Sequence, residues 1–193
     1  MENSERFHRA IAEFDLLNGR DPNHRTVEGE AVPFELFFAR RLTEWVFRLD
    51  PAPSEVALLA ARCQHLCRWE IPRSDYPKGR VGYLTWRRDL KAFHADRSAE
   101  VLEKAGYGSQ TIDRVRSINL KKGLGKDAEV QLIEDALCLV FLQEQFDDLA
   151  AKTPEEKMAR IMKKTWKKMS KRARHMAMEL KFSEKGTKGG EGF

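Results

Sequence analysis

The sequence contains few of the residues that break helices or cross-link a chain. Among its 193 residues there are 12 glycines, seven prolines and three cysteines. Because glycine and proline disfavour helix interiors, their scarcity in a chain rich in leucine, alanine and phenylalanine indicates a helical protein. An odd number of cysteines in a chain of this length excludes a disulfide framework and indicates reduced thiols, which are typical of the cytoplasm.

Long apolar segments are also missing. No run of apolar residues approaches the ~20 residues that a membrane-spanning helix needs, so we expect no membrane partner. The first residues, MENSERFHRAIAEF, contain early acidic side chains and no apolar core of a signal peptide. Together with the cysteines, this predicts a cytoplasmic location.

Positive charge is concentrated near the C-terminus. The formal net charge is +5, yet residues 163–193 alone contain ten Lys and Arg side chains against three Glu. Such a segment can bind nucleic acid by displacing counterions, so residues 163–181 are a candidate nucleic-acid contact. The alternative is a solvated segment that only aids solubility.

Apolar spacing and capping residues predict the order of helices. The spacing indicates helices over residues 4–18, 34–49, 55–69, 83–105, 109–121 and 128–149, and one or two more over 154–181. Ser4, Ser54 and Asp127 are suitable N-caps, and Thr153 with Glu156 forms the pattern of a capping box.

The remaining segments contain no recognisable strand pattern. Residues 19–33 are predicted to be a polar loop, and residues 70–82 are too rich in proline and glycine to stay helical. The prediction is one all-α domain of about seven or eight helices over residues 1–182. Residues 183–193 form a basic, glycine-rich tail whose composition predicts disorder.

Residues 62–94 contain the densest cluster of side chains that could perform chemistry. His65 is placed in an otherwise apolar predicted helix, and an unpaired polar group there would cost stability, so it should face a specific partner. The alternative is a core histidine with a satisfied hydrogen bond. Cationic side chains in and near this segment could bind a phosphate group, and aromatic side chains could stack on a nucleotide base. The candidate substrate-binding residues are Arg68, Trp69, Arg73, Tyr76, Lys78, Tyr83, Arg87 and Lys121. Salt bridges to nearby carboxylates are the competing interpretation of the arginines.

A second unusual feature is a pair of adjacent carboxylates, Glu134 and Asp135, in an apolar helix. Neighbouring helical residues point about 100° apart, so at most one of the two faces a given site. A zinc site at Cys63, His65 and Cys67 is not expected, because His65 lies on a different helical face from the two cysteines and no further ligands complete a set. The thiols are better interpreted as small apolar groups.

One short motif suggests an aminoacyl-tRNA synthetase. Lys168-Met169-Ser170-Lys171 resembles the lysine-rich loop with which class I synthetases stabilise the phosphates of ATP. The chain lacks the partner motif His-Ile-Gly-His and the alternating strands and helices of that fold. Its helical spacing instead predicts packing for Trp166 and Met169, with the lysines directed outward. We therefore predict that the protein is not a synthetase.

A longer stretch, FHADRSAEVLEKAGYGSQTIDRVRSINLKKGLGKDAEVQLIEDALCLVF, is similar to the second half of HD-domain phosphohydrolases. This resemblance implies an HD-like helical bundle in which His65, His94 and Asp135 hold a divalent metal ion, with Glu134 beside them. Leu66 stands where that family has the Asp of its His-Asp pair. The family's first ligand histidine has no counterpart in FFARRL, and Lys121 or Lys122 replaces a further histidine.

Most of the chain, from about residue 5 to residue 181, resembles the domain of unknown function 4202 family. The stretches that carry the resemblance are FHRAIAEFDLLNGRDPN, QHLCRWEIPRSDYPKGRVGYLTWRRDLKAFHA, QLIEDALCLVFL and KTWKKMSKRA. The resemblance implies no activity.

The sequence is compatible with three functions. The first is an HD-like, metal-dependent hydrolase of a phosphorylated small molecule or nucleotide, with His65, His94, Asp135 and Glu134 as catalytic residues. The second is a non-catalytic module that binds an anion or a nucleic acid. The third is a structural protein whose polar core only fixes the fold.

Overall fold

Helices dominate the computed structural model, which describes residues 4–181, and this confirms the predicted all-α class. The predicted tail, residues 183–193, lies outside the described residues. The helices are α1 (Glu5–Asn18), α2 (Phe34–Leu49), α3 (Glu55–Arg62), α4 (Arg80–Lys104), α5 (Ser109–Asn119), α6 (Ala128–Glu144), α7 (Phe146–Ala150), α8 (Glu155–Lys168) and α9 (Lys171–Met178). Single 3₁₀ turns span Arg68–Glu70 and Arg73–Asp75.

Local capping signals placed several helix starts correctly. The side chains of Ser4, Ser54 and Asp127 accept hydrogen bonds from the first backbone N–H groups of α1, α3 and α6. The predicted capping box before α8 is wrong, because Pro154 is the N-cap and no side chain caps that helix.

A small hairpin interrupts the loop predicted over residues 19–33. Strands β1 (His24–Val27) and β2 (Glu30–Pro33) pair antiparallel, with Arg25 opposite Val32. The turn residues Glu28 and Gly29 both have positive φ, as tight hairpin turns require. The expectation of no strand was therefore wrong, although residues 4–181 contain no parallel sheet of the kind that a synthetase uses.

Helix α3 ends seven residues earlier than predicted. Its last residue is Arg62, and Cys67 adopts a left-handed conformation with φ of 54°. His65 therefore lies in a buried turn and not inside an apolar helix. Hydrogen bonds from distant side chains support this segment, since His94 Nδ1 lies 2.9 Å from the Leu66 carbonyl and Trp86 Nε1 donates to Ile71.

The core is built around α6, which packs against α2, α3 and α9. Trp45 Nε1 donates a 2.8 Å hydrogen bond to Gln143 and so ties α2 to α6. The three cysteines are free and buried, in agreement with the prediction of reduced thiols. Within residues 4–181, no helix has both the length and the apolar character needed to cross a membrane.

The Lys168–Lys171 motif is a junction between two helices. Helix α8 ends at Lys168, and Ser170 caps α9 by accepting from Ala173 N. Asp135 accepts from Ser170 N at 2.8 Å, and Gln131 Nε2 donates to the Lys168 carbonyl at 2.8 Å. Met169 is buried as predicted. The motif is thus fastened to α6 by hydrogen bonds.

Candidate functional site

Two adjoining pockets form one cleft between α2, α4, α6 and α8, which we call the basic cleft. Their cavity volumes are about 220 Å³ and about 20 Å³, and both are lined by His65, Arg87, Lys121 and Leu137. The other charged or aromatic residues of the lining are Phe38, Arg68, Lys91, His94, Glu134, Phe141 and Lys168. Five cations and two histidines therefore surround one space.

His94, on α4, presents an unused nitrogen to this space. Its Nδ1 lies 2.9 Å from the Leu66 carbonyl, and only a donor can bond a carbonyl, so Nδ1 carries the proton and Nε2 is an acceptor. Nε2 is buried and has no hydrogen-bond partner among residues 4–181. Burial lowers the pKa of His94 to about 4, so the ring is neutral at pH 7. The site thus holds a neutral base with a free lone pair.

His65 lies beside His94 at the junction of the two pockets. The ring centroids of the two histidines are 5.8 Å apart, and Phe38 stacks on His65 with centroids 4.3 Å apart. Burial, together with the nearby Arg68 guanidinium, keeps the pKa of His65 well below its usual value. The structure therefore brings together the two histidines that the sequence singled out.

Glu35 is a buried carboxyl group at this site that the sequence did not identify. It lies in the first turn of α2, where its backbone N–H donates to Asp21 Oδ2. Its Oε2 lies 3.4 Å from His65 Nδ1 and its Oε1 lies 3.6 Å from Arg68 Nε. Burial raises the pKa of Glu35 to about 8 despite the neighbouring guanidinium. The sequence signal that could have identified Glu35 is its position as the one charged residue in the apolar run FELFF.

Glu134, and not Asp135, lines the basic cleft. Its side chain is only 3% exposed and forms salt bridges with Lys121 and with Lys168, the latter at 3.1 Å. Burial alone would raise the pKa of Glu134, but the two ammonium groups hold it below its ordinary value. Lys121 itself has a left-handed backbone, with φ of 59°, and burial lowers its pKa. An ionised cluster of buried Glu134, largely buried Lys121 and half-exposed Lys168 therefore lines the cleft.

The metal-ligand set implied by the HD resemblance is not assembled. Asp135 lines neither pocket, because its Oδ1 accepts hydrogen bonds from Gln131 Nε2 and from Ser170 N, each at 2.8 Å. Within the described part of the chain, no group of three or more His, Cys, Asp or Glu side chains could hold a metal ion. His65 and His94 lack a third ligand, so these residues do not fit a metal centre.

Five predicted substrate-binding residues lie outside the basic cleft. Arg73 donates to the carbonyls of Tyr76 and Pro77 and so shapes its own loop. Tyr76 hydrogen-bonds to Asp89 at 3.4 Å. Trp69 packs on the core, whereas Lys78 and Tyr83 are exposed. By contrast, Arg68, Arg87 and Lys121 line the cleft.

The fold and cleft define an all-α protein with two neighbouring neutral histidines, one buried and one partly exposed, in a basic pocket. The chain belongs to the family described as Domain of unknown function (DUF4202), whose profile matches residues 8–188. No curated protein and no solved structure matches the chain.

The buried Glu35 carboxyl should make stability depend on pH in a diagnostic way. Its pKa in the folded protein, about 8, exceeds the ordinary 4.5, so between these values the folded state binds more protons than the unfolded state. The contribution of Glu35 to stability should therefore fall as pH rises from about 5 to about 8, by up to about 1.4 kcal/mol for each pH unit.

Urea denaturation of the wild type and of Glu35→Gln at several pH values measures this effect. Neutral His65 and His94 act in the opposite direction below their ordinary pKa of 6.5, so only the difference between the two proteins isolates Glu35. We expect the variant to gain on the wild type as pH rises. Parallel pH profiles would contradict the burial of an ionisable group here.

Proposed function

We propose that this protein binds a phosphorylated small molecule, of the nucleotide class, in the basic cleft. The excess of cations over carboxylates is the observation that carries the proposal. Glu134 is the one ionised carboxylate in the lining, and it pairs with Lys121 and Lys168. Arg87 and Lys91 also line the cleft, and neither forms a salt bridge within residues 4–181. Their charge is available to a phosphate group.

The larger pocket of the cleft also suits an apolar or aromatic part of the same ligand. Phe38, Leu137 and Phe141 line the larger pocket together with Lys121 and Lys168. Ligand sites commonly combine an apolar wall with a few convergent polar groups. The larger pocket, about 220 Å³, is somewhat smaller than the ~300–1,000 Å³ of most ligand sites, so it suits a small phosphorylated molecule. A base or another ring would lie on the aromatic wall and its phosphate near the cations.

Hydrolysis of that phosphate ester is the reaction that the histidines favour, and no metal ion enters it. His94 Nε2 would accept a proton from a water molecule whose oxygen attacks phosphorus. The bond between phosphorus and the ester oxygen breaks, and the proton returns to the leaving oxygen. Arg87 and Lys121 would stabilise the negative charge that develops on the phosphoryl oxygens.

Calorimetric titration with inorganic phosphate and with ADP tests the binding proposal. Arg87→Ala should weaken binding at least tenfold, or about 1.4 kcal/mol. Arg88→Ala is the matched control, since Arg88 is the next residue of α4 and its side chain is 76% exposed. Absence of binding to the wild type, or equal effects of the two changes, would refute the proposal.

Phosphate release from ATP and from 4-nitrophenyl phosphate, measured in EDTA, tests the hydrolytic step. His94→Gln should abolish release while phosphate binding persists. Release that survives this change would exclude His94 as the base. Release that requires an added metal ion would exclude the metal-free reaction.

Nucleic acid is a second candidate ligand, favoured by the exposed basic side chains of α8 and α9. Lys163, Lys164, Lys167, Lys171 and Arg172 are exposed and make no salt bridge in the described part of the chain. Binding to a single-stranded RNA oligonucleotide should weaken steeply with salt if these cations contact phosphates. A flat salt dependence would remove this candidate.

A further inference from the structure

Three side chains at or beside the basic cleft have a buried polar atom without a hydrogen-bond partner in the described part of the chain. Glu35 Oε2, Arg68 Nη1 and His94 Nε2 are all buried, and none has a hydrogen-bond partner among residues 4–181. The Glu35 side chain is 5% exposed, and Phe34, Phe37 and Phe38 surround it in sequence. Because a buried group without a partner costs about 1–3 kcal/mol, each such group needs a reason to be there.

The contact between Glu35 and His65 supplies that reason. Stacking on Phe38, at 4.3 Å and 14° between the ring planes, fixes the plane of the His65 imidazole. Stacking alone does not decide which edge of the ring faces α2, because a half-turn of the ring preserves the plane. Only one of the two orientations places Nδ1 beside Glu35 Oε2, at 3.4 Å. The carboxyl therefore selects the orientation of the ring.

We propose that Glu35 is a positioning residue that fixes the orientation of the His65 ring and thereby makes Nε2 a hydrogen-bond donor to the phosphorylated ligand. This inference rests on the proposed function, since the ligand is the one assigned to the basic cleft. Nε2 forms no hydrogen bond within residues 4–181, and His65 lines both pockets. Because burial raises the pKa of Glu35 to about 8, its carboxyl group is protonated at pH 7 and can donate to Nδ1. Nε2 then carries the ring proton that a phosphoryl oxygen accepts.

Arg68 is the charged neighbour of Glu35 on the side of its second carboxyl oxygen. Arg68 Nε lies 3.6 Å from Glu35 Oε1, and the Arg68 guanidinium lies over the Trp86 ring at 5.1 Å. The contact distances at Glu35 are longer than those of good hydrogen bonds. Such contacts are common in sites without ligand and tighten when the ligand binds. Glu35 therefore contacts His65 and not the ligand, and His65 contacts the ligand.

A double-mutant cycle measured by calorimetry with inorganic phosphate tests the proposal. We expect Glu35→Leu and His65→Ala each to weaken phosphate binding about tenfold, and the double variant to bind no more weakly than either single variant. Leu replaces the carboxyl by an apolar group of similar size, which limits unfolding. Glu35→Gln should bind within about twofold of the wild type, because its amide can still hydrogen-bond to Nδ1.

The result that would overturn the proposal is additivity. If Glu35→Leu weakens binding as much in the His65→Ala background as in the wild type, Glu35 does not act through His65. Equal losses in Glu35→Gln and Glu35→Leu would also refute it. If Glu35 had only a structural role, Glu35→Leu would lower the melting temperature, and its effect on phosphate binding would not be coupled to that of His65→Ala.

Nitrogen-15 NMR of the imidazole rings tests the same proposal without any ligand, and so separates it from the proposed function. Wild type and Glu35→Gln should show one His65 tautomer with the proton on Nε2, whereas Glu35→Leu should show a mixture. A mixture in the wild type would overturn the proposal even if phosphate binds. If the wild type shows a single His65 tautomer but does not bind phosphate, the positioning role of Glu35 stands and the proposed phosphorylated ligand is refuted.

Discussion

Replacing Asp135 by alanine should lower the free energy of unfolding by about 3 kcal/mol, whereas replacing it by asparagine should cost less than about 1 kcal/mol. The carboxylate, which is 4% exposed, accepts from Ser170 N and from Gln131 Nε2. Alanine leaves the Ser170 N–H without a partner at the junction of α8 and α9. Asparagine keeps an acceptor oxygen in the same place, so both hydrogen bonds can persist.

Chemical denaturation of the two variants measures this difference. Asp148→Ala, a change of an exposed residue on α7, is the control and should stay within about 0.5 kcal/mol of the wild type. The pair also distinguishes a structural carboxylate from a metal ligand. If Asp135→Asn were as destabilised as Asp135→Ala and the wild type lost the same stability in EDTA, the carboxylate would be holding a metal ion after all.

Much of the helical framework was predictable because its signals are local. A side-chain cap such as Ser4 or Asp127 and the apolar spacing behind it act over one or two helical turns. The early end of α3 was not predictable in this way. It depends on the left-handed Cys67 and on the bond from His94 to the Leu66 carbonyl, 28 residues away in sequence. The hairpin was missed because its strands are only four residues long.

The sequence identified the two histidines of the candidate site, but it did not identify all the charged residues that line the cleft. Sequence reasoning established that only one of Glu134 and Asp135 could face a site, but the resemblance selected Asp135, and Glu134 is the one that lines the cleft. Lys168 was expected to point outward, yet the junction after α8 turns it toward Glu134 at 3.1 Å. Such pairings depend on how α6 and α8 meet, which no local pattern encodes.

Replacing Glu134 by glutamine should reduce stability and strengthen anion binding at the same time. The wild-type carboxylate compensates Lys121, whose side chain is 17% exposed, and Lys168. Removing one member of a buried ion pair leaves an uncompensated charge and typically costs about 3–5 kcal/mol. The same change removes the one ionised carboxylate from the lining of the basic cleft. Phosphate affinity should therefore rise at least tenfold, since opposite charges a few ångströms apart interact by several kcal/mol at an effective dielectric constant of about 20.

The dependence on pH provides a second signature of the same carboxylate. Because the pKa of Glu134 in the folded protein lies below its ordinary 4.5, its contribution to stability is present above that value and is lost as the pH falls through the folded pKa. Glu134→Gln should therefore show a smaller acid-induced loss of stability than the wild type.

Denaturation and phosphate titration of Glu134→Gln beside Glu129→Gln measure these effects. Glu129 is also on α6 and pairs with Arg114, but it lines neither pocket, so its replacement should alter stability modestly and leave phosphate affinity unchanged. A loss of stability without tighter binding would mean that Lys121 and Lys168 do not meet the anion. Tighter binding in both variants would indicate that net charge, and not the basic cleft, governs the affinity. Without a ligand, the Glu134 carboxylate holds Lys121 in place. A phosphate group that enters the basic cleft must compete with Glu134 for the ammonium groups of Lys121 and Lys168, and this competition lowers the affinity of the wild type for anions.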